Sequence, residues 1–312
     1  MSNIIGVDIG GTNVDIGVVT ENYEVLDYNR FKTTKDSVEA LIDNICSTVI
    51  PLAEVYGCKT IGIGSPGRTA DNRTIIRAGN IPYKNTPLAD IVESKTGLEV
   101  YLDNDASCAL YGEKFAGAGK DVSNMVVITI GTGIGGGIMI DRKTYHGANN
   151  RAGEIGHFII DINGRSCSCG LHGCFEQYAS VKAFVTMAKI AAVQNKGSIL
   201  FQMAGGNPEN IGGRLPFRAM YLGCDVSKKV IEEYIYYLAC GINSLNKIFQ
   251  PDVFVLTGGL VNEGPVITDM LKPHLLSDVN VKISPLNGKA GLIGAALIKK
   301  ERESYAFPCE NV

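Results

Sequence analysis

The chain has 312 residues, a formal net charge of −3 and 45% hydrophobic residues, which suits one large or two ordinary globular domains with a sizeable core. No run of about 18 apolar residues is present, which excludes a membrane-spanning helix. No lysine or arginine tract offers an electrostatic footprint for nucleic acid or an anionic membrane, so neither is an expected partner and a small molecule is.

The N-terminal "MSNIIGVDIGG" enters a strand pattern at once, without the charged and apolar regions of a signal peptide, which predicts a soluble cytoplasmic protein. "IIGVDIGGTNVDIGVV" reads as a β-hairpin: an apolar run, a glycine turn at Gly10, Gly11 and Thr12, then alternating Val14, Ile16 and Val18. Glycines without Cβ atoms let backbone N–H groups approach phosphate oxygens, although such turns also occur for purely steric reasons. Asp8, at the end of the strand before this turn, is placed to hold a hydrated Mg²⁺. Neither a P-loop nor a Gly-x-Gly-x-x-Gly turn opening a helix is present.

"VYLDNDASCALYGEKFAGAG" predicts a strand through Leu102 and a helix from about Ala106, with Asp103, Asn104 and Asp105 at the junction. Asp105 either caps that helix or serves as the base that phosphoryl transfer to an alcohol needs near the attacking hydroxyl. Its place between two phosphate-type turns favours the base. The second turn lies in "MVVITIGTGIGGGIMI", which repeats the first hairpin with Gly131, Thr132 and Gly133 at its tip. The repetition predicts two similar domains, and residues 112 to 124 are the expected break between them.

"CSCGLHGCFE" places Cys167, Cys169 and Cys174 close together ahead of Glu176. Nine cysteines, an odd number, in a chain without an export signal argue against a disulfide framework, and the spacing is not Cys-x-x-Cys. Three thiolates and one imidazole form a structural zinc set. His157 in "GEIGH" or His172 inside the loop supplies the fourth ligand. His157 is favoured, because it pins two separate pieces of chain together. Three reduced thiols without metal are the bland alternative.

Residues 194 to 217 resist assignment and are read as a loop near a pocket mouth. In the following segment Val226, Val230, Tyr234, Leu238, Ile242, Leu245 and Phe249 recur at helical spacing until Pro251, a stripe for the core or a subunit interface. "VFVLTGGL" predicts a third strand ending in Gly258 and Gly259, so that three glycine turns can converge on one anionic ligand. The C-terminal "KAGLIGAALIKKER" has Gly and Ala on a helical face suited to close packing.

Through "DIGGTNVDIG", "GIGSPG", "AGNIP", "LDNDASCALYGE", "TIGTGIGGG", "GANNRAGEIGH", "CSCGLHGCFE", "VFVLTGG" and "GLIGAAL", the chain resembles the ROK family (repressor, open reading frame, kinase) of the hexokinase/actin-like ATPase superfamily. The resemblance implies an α/β protein of two actin-like (ribonuclease H-like) domains hinged around a cleft. The small domain is expected at 1–115 with the C-terminal helix of about 290–312, and the large one with the zinc loop at 116–289. It implies ATP with Mg²⁺ on one side, a hexose on the other, and Asp105 as base. Gly67, Asn80, Asn104, Glu154, His157 and Glu176 are then the sugar contacts, with Asp105 facing the C6 hydroxyl. Glu154 as a solvated charge and Glu176 as a helix-start carboxylate are the plainer readings. Glucose is the first expected substrate. Pro82, Tyr83 and Lys84 in "NIPYKN" read as a departure from the family pattern, which keeps N-acetylmannosamine, N-acetylglucosamine, allose, fructose and β-glucosides as alternatives, with polyphosphate as an alternative donor. A homodimer or higher homo-oligomer is expected. A sugar-sensing repressor would need a helix-turn-helix ahead of the first strand, and a chaperone-type or cytoskeletal ATPase would lack the cysteine loop.

Overall fold

The computed structural model describes residues 3–79 and 81–306. Its chain divides into two compact units. One comprises Met1–Ser123, Gly137–Gly153 and Ser284–Val312, the other Asn124–Gly136 and Glu154–Ile283.

In the first unit β1 (Ile4–Ile9), β2 (Asn13–Val19) and β3 (Val25–Lys32) run antiparallel, with Asp8 opposite Asp15. Strand β4 (Thr60–Ser65) pairs parallel with β1. After a small ribbon of β5 (Arg68–Ala70) and β6 (Thr74–Arg77), β7 (Glu99–Asn104) pairs parallel with β4 and completes the order β3-β2-β1-β4-β7. Period-two alternation decides what is buried: Ile5, Val7 and Ile9 of β1 and Val14, Ile16 and Val18 of β2 are fully enclosed. Each such side chain contributes roughly 1.5–3 kcal/mol of burial.

Helix α1 (Val38–Tyr56) starts at Ser37, whose hydroxyl accepts the Ala40 N–H at 3.1 Å, and stops at Gly57 in the left-handed region. Helix α2 (Leu88–Thr96) packs on β7, and α3 (Asp105–Ala116) on β4 and β7. Lys114 of α3 forms a buried ion pair with Glu301 at 2.6 Å, and Glu301 also accepts the hydroxyls of Thr144 and Tyr305.

Strands β8 (Met125–Ile130), β9 (Ile134–Ile140), β10 (Lys143–Thr144), β11 (Val253–Thr257) and β12 (Val281–Ile283) form a second sheet of order β10-β9-β8-β11-β12. It repeats the plan of the first: one antiparallel edge, then two parallel neighbours. The division between the units falls inside β9, after Gly136. The second unit carries α4 (Glu176–Ala179), α5 (Val181–Gln194), α6 (Ile199–Met203), α7 (Leu215–Tyr221), α8 (Asp225–Phe249) and α9 (Pro265–Leu271). Along α8, Val230, Tyr234, Leu238, Ile242 and Leu245 are buried and Val226 and Phe249 partly so, which makes the stripe core. Residues 194 to 217 are not a loop. They hold α6, capped by Ser198, a 3-10 turn at Pro208–Asn210 and α7.

Back in the first unit, α10 (Ala290–Ala296) is buried throughout and is followed by α11 (Ile298–Ala306). Its backbone lies against glycines. A Cβ at Gly6, Gly62 or Gly112 would fall 2.2, 1.8 and 2.3 Å from the carbonyl oxygens of Leu292, Ala295 and Ala290. Among the described residues no helix is long and apolar enough to cross a membrane.

Candidate active site and metal centre

The junction of β7 and α3 gives its neighbouring polar residues different tasks. Asn104 is the N-cap: its Oδ1 accepts the N–H groups of Ala106 (2.9 Å) and Ser107 (3.3 Å), and its Nδ2 donates to the Gly67 carbonyl (3.3 Å). Asp103, 8% exposed, accepts the Tyr111 hydroxyl and the Asn104 N–H, both at 2.7 Å. Asp105 is the first helical residue, where the helix dipole favours its charge. The capping that sequence pattern offered to Asp105 thus falls to Asn104. Gly67 is required as glycine, since at its φ of +110° a Cβ would meet the Arg77 carbonyl oxygen at 2.6 Å.

Asp8, the next-to-last residue of β1, stands level with this junction across β4. Burial pushes its carboxyl up to about 8, the nearby Asp105 and Asp15 charges add to the rise, and Arg30 opposes it. Its Oδ2 lies 2.2 Å from where a Cβ on Gly291 of α10 would stand, so only glycine leaves it room. In the first turn the Gly10 N–H donates to the Asn13 carbonyl (2.9 Å) and holds the hairpin closed, while Gly11 is partly exposed and Thr12 exposed at the tip.

The second turn repeats this closure inside the second unit, with the Gly131 N–H donating to the Gly133 carbonyl (2.9 Å) and with Gly131 and Thr132 exposed. Gly258 sits beside it: at its φ of +121° a Cβ would fall 2.1 Å from the Ile130 carbonyl oxygen, while Gly259 has open space. The second and third turns therefore stand together.

Glu154 is exposed ahead of a 3-10 turn at Ile155–His157. Gly156 in that turn packs on Ile134, whose carbonyl oxygen lies 2.3 Å from its Cβ position. His157 faces the cysteine loop, with Nδ1 3.5 Å from Cys167 Sγ. Cys169 and Cys174 sulfurs are also 3.5 Å apart, and ligand atoms of His157, Cys167, Cys169 and Cys174 all lie within 4.8 Å of one another. The glycines of the loop make this possible. Gly170 and Gly173 have φ of +93° and +75°, and a Cβ at Gly173 would stand 1.6 Å from the Asp161 carbonyl oxygen. His172 is exposed and pairs with Ser166 instead. Against a burial effect that raises it, the Cys167 thiol is brought down to about 7 by the Cys169 amide and the surrounding thiols and imidazole, whereas burial and those neighbours push Cys174 up to about 12. A tetrahedral zinc with Zn–S near 2.3 Å and Zn–N near 2.1 Å sets ligand separations of about 3.6–3.8 Å, which this cluster approaches. Phe175, fully buried where Gly241 of α8 makes room for its ring, fixes the exit of the loop and hence Glu176.

Asn80 lies outside the described residues. Of its neighbours, Tyr83 is buried with its hydroxyl 3.3 Å from Ser65 Oγ, and Ile81 is buried too, so "NIPYKN" contributes core residues that the sequence pattern did not reveal.

The profile of the ROK family matches residues 4–302. The chain belongs to the ROK family. This ROK protein is 36% identical to the glucokinase of Streptomyces coelicolor (strain ATCC BAA-471 / A3(2) / M145), over 96% of this chain and 98% of that one. It is 32% identical to the glucokinase of Thermotoga maritima, again over 96% and 98%. The crystal structure of a ROK family glucokinase from Streptomyces griseus in complex with glucose and AMPPNP superposes with a TM-score of 0.88 at 35% identity, covering 95% of this chain and 98% of that chain. The ROK fold is that of the two-domain actin-like sugar kinases, each sheet of this chain supplying one half of the repeat.

Proposed function

We propose that this ROK protein is an ATP-dependent hexose kinase that phosphorylates glucose at the C6 hydroxyl, with Asp105 as general base. The observation that carries the reading is the division of labour at the β7–α3 junction, where Asn104 caps the helix and Asp105 is presented at its first residue beside Asp8 and the first glycine turn. In the reaction the Asp105 carboxylate takes the proton of the sugar hydroxyl as its oxygen bonds to the γ-phosphorus, and the bond to the departing ADP oxygen breaks. Gly11, Thr12, Gly131, Thr132, Gly133, Gly258 and Gly259 are the candidate donors and close-approach positions for the phosphates, Gly10 shaping the first turn.

Asp8 fits a Mg²⁺ site, because a divalent cation would offset the charge that burial and the nearby Asp105 and Asp15 carboxylates penalise there, with only Arg30 opposing them. A Mg²⁺ held through Asp8 would supply charge neutralisation for the phosphates of the nucleotide. His157, Cys167, Cys169 and Cys174 suit a structural zinc, which fixes the loop without taking part in chemistry. With Nδ1 toward the sulfurs, His157 has Nε2 for a sugar hydroxyl alongside Glu154 and Glu176; Gly67, Asn80 and Asn104 are the further candidate sugar contacts. We assign the small domain to 1–115 with 290–312 and the large domain to 116–289, in a homodimer or higher oligomer that light scattering will count.

The test is a coupled ADP assay across glucose, N-acetylmannosamine, N-acetylglucosamine, allose, fructose and a β-glucoside, repeated with polyphosphate as donor. ADP release that requires glucose is expected. Glucose turned over about tenfold worse in kcat/KM than another sugar, roughly 1.4 kcal/mol of transition-state binding, would displace glucose but leave the hexose kinase. Sugar binding without turnover would make the chain a sensor.

A further inference from the structure

Glu176 makes contacts that sugar binding does not require. Its Oε2 accepts the N–H of Ile134 at 3.0 Å, immediately after the second glycine turn. A Cβ at Gly133 would lie 2.1 Å from the same oxygen and 3.1 Å from Cδ. Five residues beyond Glu176, the Val181 N–H donates to the Gly131 carbonyl at 2.9 Å. The turn is thus held at its start by Val181 and at its end by Glu176. A hydrogen bond to a carboxylate is about twice as strong as a neutral one, so the grip of Glu176 dominates the far end. Oε1 is left to accept from a hydroxyl.

We propose that Glu176 is a positioning residue for the phosphate turn, and that through it hexose binding raises nucleotide affinity. A hydroxyl on Oε1 fixes the rotamer of Glu176. The fixed carboxylate holds Ile134, and the amides of Gly131 to Gly133 meet the phosphates already ordered, so the nucleotide orders less on binding. By linkage the nucleotide raises sugar affinity by the same factor. This also gives Gly133 a reason: a Cβ there would push the end of the Glu176 side chain off Ile134. The inference rests on the kinase reading and adds a coupling to it.

Titration calorimetry of glucose alone, AMPPNP alone and each in the presence of the other tests it on the wild type, E176A, E176Q and G133A. In the wild type each ligand is expected to tighten the other by about fivefold or more. E176A is expected to weaken AMPPNP binding about tenfold with no sugar present, and G133A to weaken glucose about tenfold with no nucleotide present. Thermal unfolding checks that each variant is folded. If E176A is not, E176Q keeps an acceptor for Ile134 and an expected loss of about threefold in AMPPNP affinity. Two results overturn the coupling alone: a wild type binding both ligands beside Glu176 variants with sugar-free AMPPNP affinity unchanged within twofold, or a G133A that weakens AMPPNP but not glucose. A wild type that binds neither ligand overturns the kinase reading and the coupling with it.

Discussion

Replacing Gly294 by alanine sets two well-known effects against each other. Alanine in a helix interior is favoured over glycine by about 1 kcal/mol, so on propensity alone the variant gains stability. The packing of α10 argues the opposite. The new Cβ would stand 1.6 Å from the Cys108 carbonyl oxygen, 2.5 Å from its carbon and 2.7 Å from the Gly112 nitrogen, all backbone of α3. An ordinary approach is about 3.5 Å, so the two helices must separate locally by roughly 1.9 Å. No side chain can swing aside, which puts the cost at or above the upper end of the 1–3 kcal/mol typical of overpacked cores. The net expectation is a loss of about 2 kcal/mol, or a fall in Tm of about 4–8 °C for a unit of this size. Circular dichroism melts of ligand-free protein at one concentration measure it. Gly197 is the control: a Cβ there meets nothing within 4 Å, and G197A is expected to be neutral or to gain up to about 1 kcal/mol. A G294A variant melting at or above the wild type would refute the close backbone contact of α10 with α3.

Asp105→Asn is expected to keep the fold and sugar binding while turnover falls by a factor on the order of 10² or more, measured as kcat at saturating glucose; a near-normal rate would remove the base role. Cys169→Ser is expected to lose both the zinc, about one per chain in elemental analysis of the wild type, and thermal stability; a variant keeping both would misplace the ligand set. The Asp8 carboxyl, raised from 3.8 to about 8, predicts that ion-free protein is penalised increasingly as pH rises from about 4, the penalty being complete above about 8. Asp8→Asn should therefore raise Tm at pH 8.5 but not at pH 4, and Mg²⁺ should stabilise the wild type more at pH 8.5 than at pH 6; a Tm difference independent of pH would contradict that assignment.

Both hairpins were legible because glycine turns interrupt runs whose period of two is unambiguous, and α8 because its stripe persists for 25 residues. Residues 194 to 217 were not, because α6 and α7 span only 5 and 7 residues and are too short to display a period. At the junction, the residue types were readable but not their tasks: Asn and Asp are both good caps, and only the three-dimensional path of β7 gives the cap to Asn104. The three cysteines announced a cluster by proximity in sequence, whereas the choice between His157 and His172 is made by the fold, which turns one toward the sulfurs and the other to solvent. The bond between Glu176 and Ile134 spans 42 residues and has no local signal at all. The same holds for Gly6, Gly62 and Gly112, whose need for a bare backbone is set by a helix nearly two hundred or more residues away.

That helix also orders events in time. During synthesis, β1 emerges early, yet the glycines at its centre and in β4 and α3 have no partner until α10 has been made, after all of Asn124–Ile283. The second unit is complete in the growing chain while the first still exposes the apolar face that α10 will cover. Vectorial folding of the usual kind, N-terminal unit first, is therefore unavailable to this chain. The nascent protein must shelter an uncovered sheet for the time taken to translate more than half its length.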